Sequence, residues 1–138
     1  MSRPVLVPAV LVTVLVLITA GCSQQNTNVV PPSPGVPATA TQIAGIYRTV
    51  HGASLQLRGS GDFFLLAGAG PVGGRFELRA GSFTVRGGSC GPQPGRYTVR
   101  VTGTPEPNKA RLEFALVDDA CAGRRGPLID QRWVYVES

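Results

Sequence analysis

The sequence predicts an all-β domain, a small eight-stranded antiparallel up-and-down barrel, over residues 43–138. Three observations lead there. Short apolar segments alternate with glycine-rich turns, the spacing of an all-β sandwich or barrel. Within each segment apolar and polar residues alternate with period two, as in a strand with one buried and one wet face. No segment keeps a helical apolar spacing over three turns, and the connections are too short for the crossovers that parallel strands need. Strands joined in this way most economically close on themselves, which removes their exposed edges.

Taken in order, the strands are expected near 45–50, 53–58, 62–67, 73–79, 82–87, 95–102, 110–117 and 131–136. The first ends at the Gly52 hairpin, which carries His51, and the second at Gly59-Ser60-Gly61. The run from Gly68 to Gly74 is expected as a hairpin loop. It lacks the Gly-Lys-Ser/Thr ending and the following helix that a phosphate loop requires. Ala80-Gly81 turns the fourth strand into the fifth, Gly87 to Gly95 links the fifth to the sixth, and Thr104 to Asn108 links the sixth to the seventh. Leu55, Leu57, Phe76, Leu78, Phe83, Val85, Tyr97, Val99, Val101, Leu112, Phe114 and Leu116 fall on the inward register. Arg58, Arg75, Arg79, Arg86, Arg96, Arg100 and Arg111, with Glu77 and Glu113, fall outward. Closure requires the first and last strands to pair, which brings Tyr47 and Trp133 together.

Residues 1–42 are of another kind. A basic start at Arg3 and an apolar run from Val5 to Ile18 lead to Thr19-Ala20-Gly21, the plan of a secretory signal peptide over residues 1–21. The run is shorter than the ~20 residues that comfortably span a bilayer. Cys22 directly after these small residues resembles the lipobox of bacterial lipoproteins. That resemblance implies lipidation at Cys22, a membrane anchor, and residence on the extracytoplasmic face of a bacterial envelope. Ser23 to Thr41 contains no charged residue, and its prolines favour extended backbone, so residues 22–42 read as the lipidated cysteine and its tether.

With Cys22 committed to lipid, Cys90 and Cys121 remain as the possible pair, and in an exported domain they read as a disulfide. Closing a loop of about 30 residues is worth roughly 3–4 kcal/mol in the chain-entropy model. In a meander both cysteines lie in connections that follow odd-numbered strands, so both sit at one end of the barrel. Two cysteines and one histidine fall short of the four ligands of structural zinc. The chain carries a formal charge of +5, and all but Lys109 of its 13 basic residues are arginine. These charges are spread along the strands without a patch or a nucleic-acid-binding module. Asp118 and Asp119 point to opposite faces if they continue a strand, which suits turn formation better than shared acid–base work. His51 and the serines form no triad context, so no catalytic residue and no cofactor are expected, and the domain is not read as an enzyme.

Two stretches carry a further resemblance. Gly45-Ile46-Tyr47 is similar to the Gly-x-aromatic opening of calycin barrels. The segment from Gly95-Arg96-Tyr97 through Asp118-Asp119-Ala120-Cys121-Ala122-Gly123-Arg124 to Trp133 resembles small exported lipocalin-like domains of bacteria. The family implies an eight-stranded antiparallel barrel, and a hydrophobic ligand as a loose expectation. It also implies a cation–π contact of a last-strand arginine, here Arg132, across the first-strand aromatic, here Tyr47, worth about 0.5–2 kcal/mol. Full-sized inward residues on short strands favour an interior filled by its own side chains, since eight strands leave room for side chains or one small ligand. The expectation is therefore a membrane-anchored interaction or structural module with an envelope partner. A carrier of a small hydrophobic ligand is the first alternative, and an exported barrel of the protease-inhibitor kind the second.

Overall fold

A computed structural model describes residues 34–138, apart from positions 69, 105 and 130. The expected signal peptide over residues 1–21 and the lipidation site Cys22 lie outside the described residues. The strands are β1 (Gly45–Arg48), β2 (Ser54–Leu57), β3 (Asp62–Ala67), β4 (Gly70–Arg79), β5 (Ser82–Gly87), β6 (Gly95–Thr102), β7 (Arg111–Asp118) and β8 (Trp133–Glu137). Each pairs antiparallel with its neighbours in sequence, and β8 returns to β1, giving a closed up-and-down barrel. Across that seam Tyr47 stands opposite Tyr135. Trp133, two residues along β8 on the same buried face, is thus the diagonal neighbour of Tyr47 and not its direct partner. On its other side it pairs with Leu112 of β7.

Period-two alternation fixes which residues fill the interior. Eleven of the twelve residues expected to point inward are buried. Phe63, Leu65, Trp133 and Tyr135 join them. Phe76 stacks on Phe83 at 5.0 Å, and Phe114 meets Phe83 edge-on at 5.1 Å. Tyr97 lies edge-on to Phe83 and to Phe114, at 6.4 Å each. Rings from four consecutive strands thus converge on the barrel axis, and offset or edge-to-face pairs add about 0.5–1.5 kcal/mol each beyond the area they bury. The outward arginines expected on the wall are all exposed.

The exception is Leu116, which is 42 % exposed. Register shifts between β6 and β7: Tyr97 opposes Leu116, but Arg96 opposes Asp118. Val117 is the extra residue of a β-bulge, which bends the strand and reverses the facing of the residues beyond it. Asp119 belongs by parity to the outward set of β7, yet after the bulge it is buried at 4 % exposure.

Three further departures from the sequence reading share one cause, tertiary contact overriding local preference. The glycine run expected as a loop is largely strand: Gly70 to Gly74 extend β4 against Phe63 to Ala67 of β3. The segment expected to finish the tether docks on the barrel. β5 reaches β6 only as far as Thr98. Beyond it, Gly35 exchanges two backbone hydrogen bonds with Val101, at 2.7 and 2.8 Å, and the Pro37 carbonyl accepts from the Gly81 amide at 2.7 Å. A 3-10 turn at Ala40–Ile43 then brings Ile43 into the core, where its carbonyl accepts the Tyr47 hydroxyl at 2.9 Å. Finally, the connection from β7 to β8 holds a helix, α1 (Ala122–Ile129). With Gly123, Gly126 and Pro127 it has poor intrinsic propensity, and it is held by burial of Arg124 and Leu128.

Candidate functional site

The densest polar cluster lies at the end of the barrel reached by odd-numbered strands. As the strand order requires, Cys90 and Cys121 are joined there, with Cα atoms 5.9 Å apart across a sequence separation of 31. The bond ties the β5–β6 connection to the start of α1. Beside it, the bulge delivers Asp119 to Tyr97 and Arg124. Arg124 Nε donates to Asp119 Oδ2 at 2.7 Å and Nη2 to Oδ1 at 2.8 Å, a bidentate pair. The same guanidinium donates to the carbonyls of Gly87 at 3.0 Å and Gln93 at 3.2 Å. Asp119 also accepts the Tyr97 hydroxyl and, at 2.8 Å, the Cys121 amide.

Arg124 is fully buried, and a buried ion pair is tolerated only when its remaining hydrogen-bonding capacity is met. Here it is. Gly95 makes the room, since a Cβ at that position would fall on the Asp119 carboxylate. Burial works to raise the Asp119 pKa, but the donors from Arg124, Tyr97 and Cys121 outweigh it and hold the carboxyl below its ordinary value. The hydrogen bond to Asp119 raises Arg124 against the opposing effect of burial. Burial, then the bond to Asp119, drives the Tyr97 phenol well above the usual tyrosine range. A carboxylate saturated by donors and a guanidinium sealed from solvent have no free valence for a substrate. The cluster is a lock between the β5–β6 connection, β6 and α1.

Sequence reasoning placed Cys90 and Cys121 correctly, and it described Arg124 and Asp119 without joining them. Asp118 and Asp119 diverge: Asp118 is exposed and bonds Arg96 at 3.1 Å. The expected contact of Arg132 with Tyr47 is not formed. Arg132 precedes β8 and is exposed, whereas Tyr47 is fully buried. The partner of the Tyr47 ring is Tyr135, edge-on at 5.6 Å. Trp133 is fully buried and donates Nε1–H to the Leu128 carbonyl at 3.3 Å, which fixes α1 over the barrel end. His51 is an exposed hairpin residue.

Several recesses open on the surface of this domain; two, of about 370 and 280 Å³, lie beside Arg75, Glu77 and Arg86 and beside Phe114, Ile129 and Arg132. A groove of about 640 Å³ runs past Ala44, Ile46, Gln56, Leu57 and Arg58. A second, about 380 Å³, is lined by Gln56, Arg58, Asp62, Phe63 and Phe64. No protein-family model, no curated protein and no solved structure matches the chain.

Proposed function

We propose that this chain is a lipid-anchored lipoprotein of the bacterial envelope whose small lipocalin-like barrel is an interaction or structural module, not a carrier. The observation that supports it is the interior. Phe76, Phe83, Tyr97 and Phe114 meet on the axis, and Tyr47, Trp133 and Tyr135 fill the β8–β1 side. A carrier keeps a concave, largely apolar cavity of about 300–1,000 Å³ to enclose its ligand. At the barrel end closed by α1, the guanidinium–carboxylate lock and the disulfide would have to open to admit one. Anchoring rests on the lipobox-like run ending in Cys22.

Two measurements test the reading. In a bacterial host, the chain should incorporate labelled palmitate, and Cys22→Ser should abolish the label and release the protein or leave it as precursor. Normal processing and membrane retention of that variant would count against the anchor. For the module, titration with an apolar fluorophore and with long-chain fatty acids should show no stoichiometric site. One-to-one binding that is lost on enlarging Val99 or Val85 to Phe would establish an interior cavity and a carrier.

A further inference from the structure

We infer that the outer wall of β1–β3 docks on the anionic phospholipid headgroups of the bilayer that holds the anchor, an inference that rests on the lipoprotein reading. Two neighbouring rows of outward positions carry it. One runs Ile46, Gln56, Phe64, Gly73, and the other Arg48, Ser54, Leu66, Pro71. Phe64 and Leu66 are 46 % and 47 % exposed, side by side on β3. Three of their four cross-strand partners, Ser54, Pro71 and Gly73, are small, and the fourth is Gln56. Val50, 91 % exposed, extends the apolar surface at the adjacent hairpin. The facing wall is mostly polar, with Thr84, Arg86, Arg96, Thr98, Arg100, Arg111 and Glu113 outward. Its exposed apolar residues, Leu116 at 42 % and Val117 at 58 %, sit at the β7 bulge next to the Arg96–Asp118 pair.

Charge and reach decide what covers this wall. Arg58 lines the 640 Å³ and 380 Å³ grooves, and neither it nor Arg48 has a carboxylate within 4.0 Å among the described residues. Carboxylates also stand on this wall, Asp62 paired with Arg75 at 3.7 Å and Glu137 opposite Ile46. Arg48 and Arg58 beside exposed Phe and Leu nevertheless suit a surface lying at an anionic headgroup boundary. From Cys22 to Gly35, the first described residue bonded to the barrel, 13 residue steps span at most ~47 Å at about 3.3–3.6 Å per residue. Gly35 pairs with β6, three strands from β3. At ~4.8 Å per strand, that path around the barrel is well inside the tether's reach. The anchor thus holds the wall beside the bilayer at high local concentration, so weak contacts suffice.

The test uses the full lipidated chain in nanodiscs containing phosphatidylglycerol and a trace of lipid with a gadolinium-chelate headgroup. Amide signals of Val50, Phe64 and Leu66 should broaden first, while those of Thr84, Thr98 and Ala115 stay sharp. Phe64→Ser/Leu66→Ser should abolish this pattern with the amide spectrum otherwise folded. Arg48→Gln/Arg58→Gln should abolish the preference for phosphatidylglycerol over phosphatidylcholine. Broadening spread evenly around the barrel, or centred on β5–β7, overturns the docking face. Self-association lost in the Phe64/Leu66 variant would overturn it too, by giving the wall to a second copy. Intact mass separates the two readings. If Cys22 carries no acyl group the lipoprotein reading fails, and the same spectra on protein coupled through Cys22 to a maleimide-headgroup lipid still decide the docking face.

Discussion

Replacing Arg124 by alanine removes four hydrogen bonds at once: two to Asp119, and one each to the carbonyls of Gly87 and Gln93. It leaves a carboxylate that is 4 % exposed without its counter-charge. Breaking a buried pair by deleting one partner costs about 3–5 kcal/mol. Asp119 keeps the Tyr97 hydroxyl and the Cys121 amide, so we expect a loss near 4 kcal/mol, against a total of roughly 5–15 kcal/mol for a domain. At about 4–8 °C per kcal/mol for this size, the Tm should fall by roughly 15–30 °C. Urea denaturation of the oxidised protein at neutral pH measures the cost directly. The pH dependence gives a second readout. In the native protein the folded Asp119 pKa lies below its unfolded value, so its contribution is present above about pH 4 and is lost as pH falls through the folded pKa. Without Arg124 the buried carboxyl titrates upward and protonates, so the gap between variant and native protein should shrink in acid. A loss under about 1 kcal/mol, the range of an exposed pair, would refute the lock. So would a gap that does not change with pH.

Three further outcomes are expected. Non-reducing mass analysis of the exported protein should find Cys90 joined to Cys121 and no alkylation of either, and replacing both should cost roughly 3–4 kcal/mol. Trp133→Ala should cost about 3–5 kcal/mol by denaturant titration, because a fully buried ring and its bond to Leu128 are lost together. A Tm within a degree or two of the native protein would place Trp133 outside the core. In ultraviolet titration, Tyr97 should stay protonated through the ordinary phenol range. Its folded pKa is raised, so its contribution is present below about pH 10 and is lost as pH rises through the folded value; ionisation should coincide with alkaline unfolding.

The barrel was legible because one physical rule governs most of it. Each strand from β5 to β7 places Phe, Val, Tyr or Leu at every second position, with arginine or threonine at many of those between. The disulfide followed from the cysteine count, and strand order put both cysteines at one end of the barrel. Legibility stopped where tertiary contact reverses a local signal. Val117 carries nothing that marks a bulge, so neither the exposure of Leu116 nor the burial of Asp119 was anticipated. Gly70-Pro71-Val72-Gly73 has the composition of a turn, yet β3 supplies a complete antiparallel partner. Gly35 and Pro37 lie in a proline-rich, uncharged stretch, and only the short reach of β5 gives them backbone groups to bond. The Asp119–Arg124 pair is spaced around Cys121 in a way that could have prompted the question. Its burial, however, depends on Gly95, Gly87 and Gln93, which are remote in sequence.

The lock has a consequence for how the protein matures. Arg124 grips the carbonyls of Gly87 and Gln93, which bracket Cys90, while Asp119 holds the amide of Cys121 itself. These contacts need no oxidant, so they can bring the two thiols together before any electron has left them. The bond then records a conformation already chosen, and the oxidising machinery meets a prepared substrate, not a chain searching among partners. Without Arg124 the order reverses. Oxidation would have to trap the approach of Cys90 to Cys121 instead of sealing it. The arginine's contacts therefore bear on the formation of the crosslink as well as on the stability of the finished barrel.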